Sequence, residues 1–220
     1  MLKCTSLVGA VAASALLVSA SASADLYSIG DGVADSAIGV NDAASSLQAV
    51  YLNTFSLTGS DTAINQISIA FGISSLTNLV GQSFTAVIYS DANGGTPWDG
   101  TLVWSSAGTI SSVATFIDIA VPDVAVAGNF AVGFLFTSPA GGNFFPAGWD
   151  TTAPVSNRSY AAFGATVDIN DLSSVPSSQR GAIEQFGLPG NWTITASGVP
   201  APGAVALLGA AGMVGRRRRR

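Results

Sequence analysis

Apolar and polar side chains alternate with a period of two along most of the central chain, and that period belongs to β-strands rather than helices. In Ile64 to Phe71, Ile67, Ile69 and Phe71 fall on one face while Gln66 and Ser68 point away. Ser83 to Tyr89 sets Phe84, Ala86 and Ile88 against Thr85, Val87 and Tyr89, so both faces of that segment are expected to be covered. Thr115 to Val121 places Ile117, Ile119 and Val121 opposite Phe116 and Asp118, and Phe130 to Thr137 places Val132, Phe134 and Phe136 opposite Ala131, Gly133 and Leu135. Leu47 to Leu57, Thr101 to Ser106, Ser159 to Phe163 and Trp192 to Ala196 are further expected strands. Clusters of Gly, Asn, Asp and Pro separate these runs, as turns require. No segment has the periodicity of a core helix; Asp35 to Gln48 suits at most a helical turn, and Ser173 to Gln185 a long loop or short helix. The expected fold is all-β: two packed sheets in a β-sandwich with jelly-roll or Greek-key connections.

The two ends are built differently. Lys3, the apolar stretch Leu7 to Val18 and the small residues Ser19 to Ala24 have the order of a secretory signal peptide. Ala22 and Ala24 satisfy the small-x-small rule for cleavage, which is expected after Ala24 by a signal peptidase. At the far end, Val199-Pro200-Ala201-Pro202 precedes an apolar block, Gly203 to Gly215, and then Arg216, Arg217, Arg218, Arg219 and Arg220. As a helix that block is roughly 20 Å long, short of the bilayer's hydrocarbon core of about 30 Å. The arginines would hold its end on the cytoplasmic side, leaving the proline motif near the outer face of the inner membrane.

Motif, short apolar helix and terminal arginine cluster together resemble the PEP-CTERM sorting signal of Gram-negative bacteria. The resemblance covers residues 199–220 only, and Ala201 stands where that family usually has a glutamate. It implies export, transient anchoring in the inner membrane, and recognition by an exosortase that cuts near the proline motif, in bacteria that often make exopolysaccharide.

The expected domains are thus residues 1–24 as leader, 25–198 as a single β-sandwich domain and 199–220 as sorting tail. All 13 acidic residues lie in 25–198, against two arginines, Arg158 and Arg180, which leaves a net charge of −11 there. Nucleic acid is a poor partner for such a charge. The same stretch contains no cysteine, histidine or lysine, and its one glutamate is Glu184. Disulfides, histidine triads, thiol nucleophiles, Schiff-base lysines and zinc sites built on His or Cys are therefore excluded from it.

Three groups of residues invite chemistry. Asp91, Asn93 and Asp99 place hard oxygen donors on a glycine-turned loop, a chemistry that suits Ca²⁺; the same residues are what a hairpin connection demands. Trp98, Trp149 and Tyr160 offer rings that can stack on sugars, although aromatics more often fill cores. Asp118 and Asp150 are the nominated carboxylates for an aspartate-only glycosidase. The sequence points first to a structural or adhesive protein of the extracellular matrix that is not an enzyme, second to a carbohydrate-binding module for exopolysaccharide, and more weakly to a glycosidase.

Overall fold

The computed structural model describes residues 24–59, 61–72 and 78–201. Most of the leader, including Ala22, and the tail from Pro202 through the arginines lie outside the described residues. Thirteen strands occur among those described. The first seven are β1 (Leu26–Tyr27), β2 (Ser36–Ile38), β3 (Leu47–Ser56), β4 (Asp61–Ala70), β5 (Ser83–Asp91), β6 (Thr101–Thr109) and β7 (Phe116–Ala125). They are followed by β8 (Asn129–Ser138), β9 (Ala147–Asp150), β10 (Ser159–Gly164), β11 (Arg180–Ala182), β12 (Asn191–Trp192) and β13 (Ile194–Pro200). Every alternating run expected as a strand is one, except that Trp192 to Ala196 is divided at Thr193. Among the described residues no helix is long and apolar enough to cross a membrane.

The chain folds as a long hairpin wound over itself. β5 pairs with β6, β4 with β7 and β3 with β8, all antiparallel and nested one inside the next. β8 also lies beside β5, which wraps the nested pairs into a jelly roll. The result is a six-stranded sheet, β11-β10-β3-β8-β5-β6, packed on a four-stranded sheet, β1-β13-β4-β7. A third sheet, β12-β9-β2, stands beside them. It contains the segment expected to form a helical turn: Ser36–Ile38 instead pairs with β9, because distant strand pairing overrides a weak local preference.

Ile64, Ile67, Ile69, Ile194 and Ala196 of the four-stranded sheet are buried in one core with Tyr51, Phe55, Phe84, Ile88, Phe130, Val132 and Phe134 of the six-stranded sheet. Phe134 is central, its ring 5.1 Å from Tyr51 and 5.0 Å from Phe71. Gly133 is required by close approach, since a Cβ there would collide with the Tyr51 carbonyl of β3. A second cluster covers the opposite face of the six-stranded sheet, where Val50, Leu52, Val87, Tyr89 and Ala162 meet Val167, Leu172 and Val175. The coverage expected for both faces of Ser83 to Tyr89 is therefore present. Its cover is an irregular strap with 3-10 turns at Leu172–Ser174 and Ser177–Gln179, fastened by the Tyr89 hydroxyl donating to the Ile169 carbonyl at 2.9 Å.

One polar side chain sits on the core face of β3. Asn53 is wholly buried, and its Nδ2 donates to the carbonyls of Trp192 at 2.8 Å and Ile194 at 2.9 Å. Its Oδ1 accepts from the Ser159 hydroxyl at 2.7 Å, and Ser159 Oγ accepts from the Trp192 N–H at 2.9 Å. Asn53 thereby ties the six-stranded sheet to β12 and β13, on either side of the break at Thr193. There the Thr193 hydroxyl donates to the Ala70 carbonyl at 2.8 Å and its N–H to Gly148 O at 3.1 Å.

Two outcomes follow from this packing. Asn53→Ala strands the Ser159 hydroxyl and two buried carbonyls, so chemical denaturation should show a loss of about 3–5 kcal/mol; a loss under about 1 kcal/mol would show that water replaces the amide. All four tyrosines have raised pKa values, Tyr51 and Tyr89 most strongly and chiefly through burial. A raised pKa contributes stability that is complete below the ordinary value of 10.0 and is lost as pH rises through the raised one. Phenolate absorbance of Tyr51 and Tyr89 should thus appear only with cooperative unfolding above pH 10, and titration without unfolding would contradict their burial.

Candidate binding site

Sheet order brings the ends of four neighbouring strands together at one end of the sandwich. β3 and β8 end and begin at the paired residues Ser56 and Asn129, β5 ends at Asp91 opposite Asn129, and β10 begins at Ser159 opposite Asn53. Between them lies a pocket of about 290 Å³. Asp91, Asn129, Asn157, Arg158 and Tyr160 give it a polar wall, and Thr54 and Ser56 line it as well.

Each wall residue is held by local chemistry. Asp91 is 4% exposed, and its Oδ1 accepts from the Gly94 N–H at 3.0 Å. That bond closes a turn in which Gly94 and Gly95 both adopt positive φ, 72° and 100°, a conformation glycine takes without strain. Asn129 Oδ1 accepts from the Ser56 hydroxyl at 2.6 Å, which leaves its amide N–H groups for other partners. Asn157 has φ 56°, the left-handed region that asparagine tolerates better than most residues. The backbone of Arg158 is fixed: its carbonyl accepts from the Thr54 N–H at 2.9 Å, and its N–H donates to Ser156 Oγ at 3.1 Å.

Tyr160 connects the pocket to the second cluster. Its ring stands edge-on to Trp98 at 5.6 Å, and its carbonyl accepts from the Trp192 indole N–H at 2.9 Å. Burial raises its pKa first, and the nearby Glu184 carboxylate adds to the shift. Its hydroxyl thus keeps its proton and can donate a hydrogen bond. Arg180 lies over the Trp98 ring, 5.8 Å from its centroid, and donates from Nη1 to the Leu172 carbonyl at 3.1 Å.

The residues singled out by sequence are thus regrouped. Trp98 and Tyr160 come together, whereas Trp149 belongs to β9 and packs half-buried against the main core. In the loop considered for Ca²⁺, Asn93 Nδ2 donates to Asp99 Oδ2 at 2.8 Å while Asp91 holds its turn. That bond uses the Asn93 amide N–H and leaves its Oδ1 as an acceptor. Among the described residues no three Asp, Glu, His or Cys side chains are grouped to hold a metal ion. Asp91 also lines the pocket.

The two nominated catalytic aspartates are both engaged. Asp118, on β7, accepts from the Ser68 hydroxyl at 2.7 Å. Asp150 is wholly buried; Oδ2 accepts from the Asp31 N–H at 2.9 Å, and Oδ1 from the N–H groups of Thr152 at 3.1 Å and Ala153 at 2.9 Å. Asp150 anchors a turn. Beside it Asp35 accepts the Thr151 and Thr152 N–H groups at 2.8 and 3.1 Å, and the Thr151 bond leads the causes that lower its pKa. Of the motif residues, Val199 and Pro200 end β13, opposite Ala63 and Asp61.

Asn129, Asn157 and Arg158 are pocket residues that sequence reasoning does not gather. Their positions at strand ends are readable, but the adjacency β10-β3-β8-β5 that joins them is not.

No family model matches the chain, and no curated protein matches it. Among solved structures it is similar to a variant of the clostridial cysteine protease Cwp84 after propeptide cleavage, with 14% identity and a TM-score of 0.54 over 81% of this chain and 41% of that one. This chain therefore spans about two fifths of that protein's length. A second match is to the cysteine protease and lectin-like domains of Cwp84, a surface layer associated protein of Clostridium difficile, at 14% identity and a TM-score of 0.47 over 70% of this chain and 32% of that one. The first likeness carries the fold. The expectation that this chain is not an enzyme is withdrawn, because the solved protein that shares its fold is described as a cysteine protease; that description is the neighbour's, and at 14% identity the likeness assigns this chain no activity.

Proposed function

We propose that this chain is an exported surface protein that binds carbohydrate in the pocket between the ends of β3, β5, β8 and β10. The observation that carries this reading is a set of groups on the pocket wall, the Asn129 amide N–H, the Arg158 guanidinium, the Tyr160 hydroxyl and the second Asp91 oxygen, that make no hydrogen bond among the described residues. Sugar hydroxyls both donate and accept, so they are held by mixed sets of this kind: Asp91 accepts, while Asn129, Arg158 and the Tyr160 hydroxyl donate. A volume of about 290 Å³ suits a small ligand of about the size of a sugar residue. Hydrogen bonds to charged groups are worth about 1.5–3 kcal/mol each, before the cost of holding the ligand is subtracted. Affinities in the micromolar to millimolar range are consistent with that.

Export and sorting belong to the same proposal and rest on the leader pattern and the proline-helix-arginine tail. The β13 register is irregular at Ser197/Gly198 and again at Val199/Pro200. Loosened pairing there would help an exosortase reach the motif, since a protease needs extended, unpaired backbone. Delivery to the cell surface would place the pocket among exopolysaccharide.

Trp98 reports on the pocket through Tyr160. Titrating the full chain with a panel of exopolysaccharide fragments should change tryptophan fluorescence, and Asp91→Asn, which keeps the acceptor for Gly94, should weaken binding about tenfold. Absence of binding across the panel would refute the carbohydrate reading.

A further inference from the structure

The inference here rests on the carbohydrate reading and narrows its ligand. Asp25 to Gly198 contains 13 acidic residues and two arginines, so each arginine has many carboxylates available as partners. Arg180 is committed to the strap, through the Leu172 carbonyl and the Trp98 ring. Arg158 is not. Its backbone is pinned by Thr54 and Ser156, yet among the described residues its guanidinium makes no hydrogen bond or ion pair. This cation lines the pocket together with Asp91, whose second carboxylate oxygen is free of hydrogen bonds among the described residues.

We propose that the pocket takes an acidic saccharide, one whose ring bears a carboxylate, and that Arg158 selects it. The planar guanidinium presents paired N–H groups that match the two oxygens of a carboxylate. Asp91 repels a carboxylate and accepts from hydroxyls, so the pair fixes the orientation of the ring: acid group toward Arg158, hydroxyls toward Asp91 and Asn129. The net charge of −11 opposes a polyanion at long range, but salt screens that repulsion beyond about 8–10 Å. Contact with Arg158 lies inside that distance and decides the preference.

The test compares ligands that differ only in the acid group. The full chain is titrated with trisaccharides of galacturonate, glucuronate and mannuronate and with the methyl ester of each. At least one acid form should bind about tenfold more tightly than its ester, and the difference should shrink as salt rises. Arg158→Gln should abolish that difference while leaving the unfolding midpoint unchanged, and Arg158→Lys should restore part of it. Equal binding of acid and ester, or a preference that survives Arg158→Gln, would overturn the inference and leave the carbohydrate reading intact. Failure of every acid, ester and neutral glycan to bind would overturn both.

Discussion

The amide of Asn53 holds three sheets in register. It belongs to the six-stranded sheet but donates to a carbonyl of β12 and a carbonyl of β13, and through Ser159 it also fixes the N–H of Trp192. In a core otherwise made of aromatic and aliphatic groups, each of these polar atoms would be costly alone, and together they are satisfied. Hydrophobic burial is non-directional and would accept several alignments of the two sheets. The Asn53 bonds accept one. They also set where β10 begins, because Ser159 is the next residue after Arg158, and so they place the pocket wall.

The second cluster has a related effect. By covering the outer face of the six-stranded sheet, the strap around Leu172 and Val175 makes a partly apolar setting for Trp98 and Tyr160 at the pocket's edge. Without it those rings would lie on a bare sheet. Arg180 is used in this construction, and that use distinguishes it from Arg158. The two arginines have the same chemistry and opposite fates: one fastens a strap and the other faces a pocket.

The strands were legible because their side-chain period is local: Ile67, Ile69 and Phe71 announce a face without knowledge of their partners. The third sheet was not, since β2, β9 and β12 have only two to four residues and gain their structure from distant pairing. Asn53 left a trace, a polar residue on the face shared by Ala49, Tyr51 and Phe55, which reads as a flaw until its partners are known. The aspartates were harder. Asp91, Asp118 and Asp150 look alike in sequence, but one walls a pocket, one lies on a sheet and one is sealed inside a turn. Burial and adjacency separate them, and both are properties of the completed fold.

The proposed carbohydrate site depends on four strand ends that only the jelly-roll wrap brings together. The most direct measurement is a crystal structure of the chain with a bound oligosaccharide. The account predicts a sugar ring between Asp91 and Arg158, in contact with Asn129 and near Tyr160. A ring bound instead over Phe116 and Asp118 on the four-stranded sheet would contradict it.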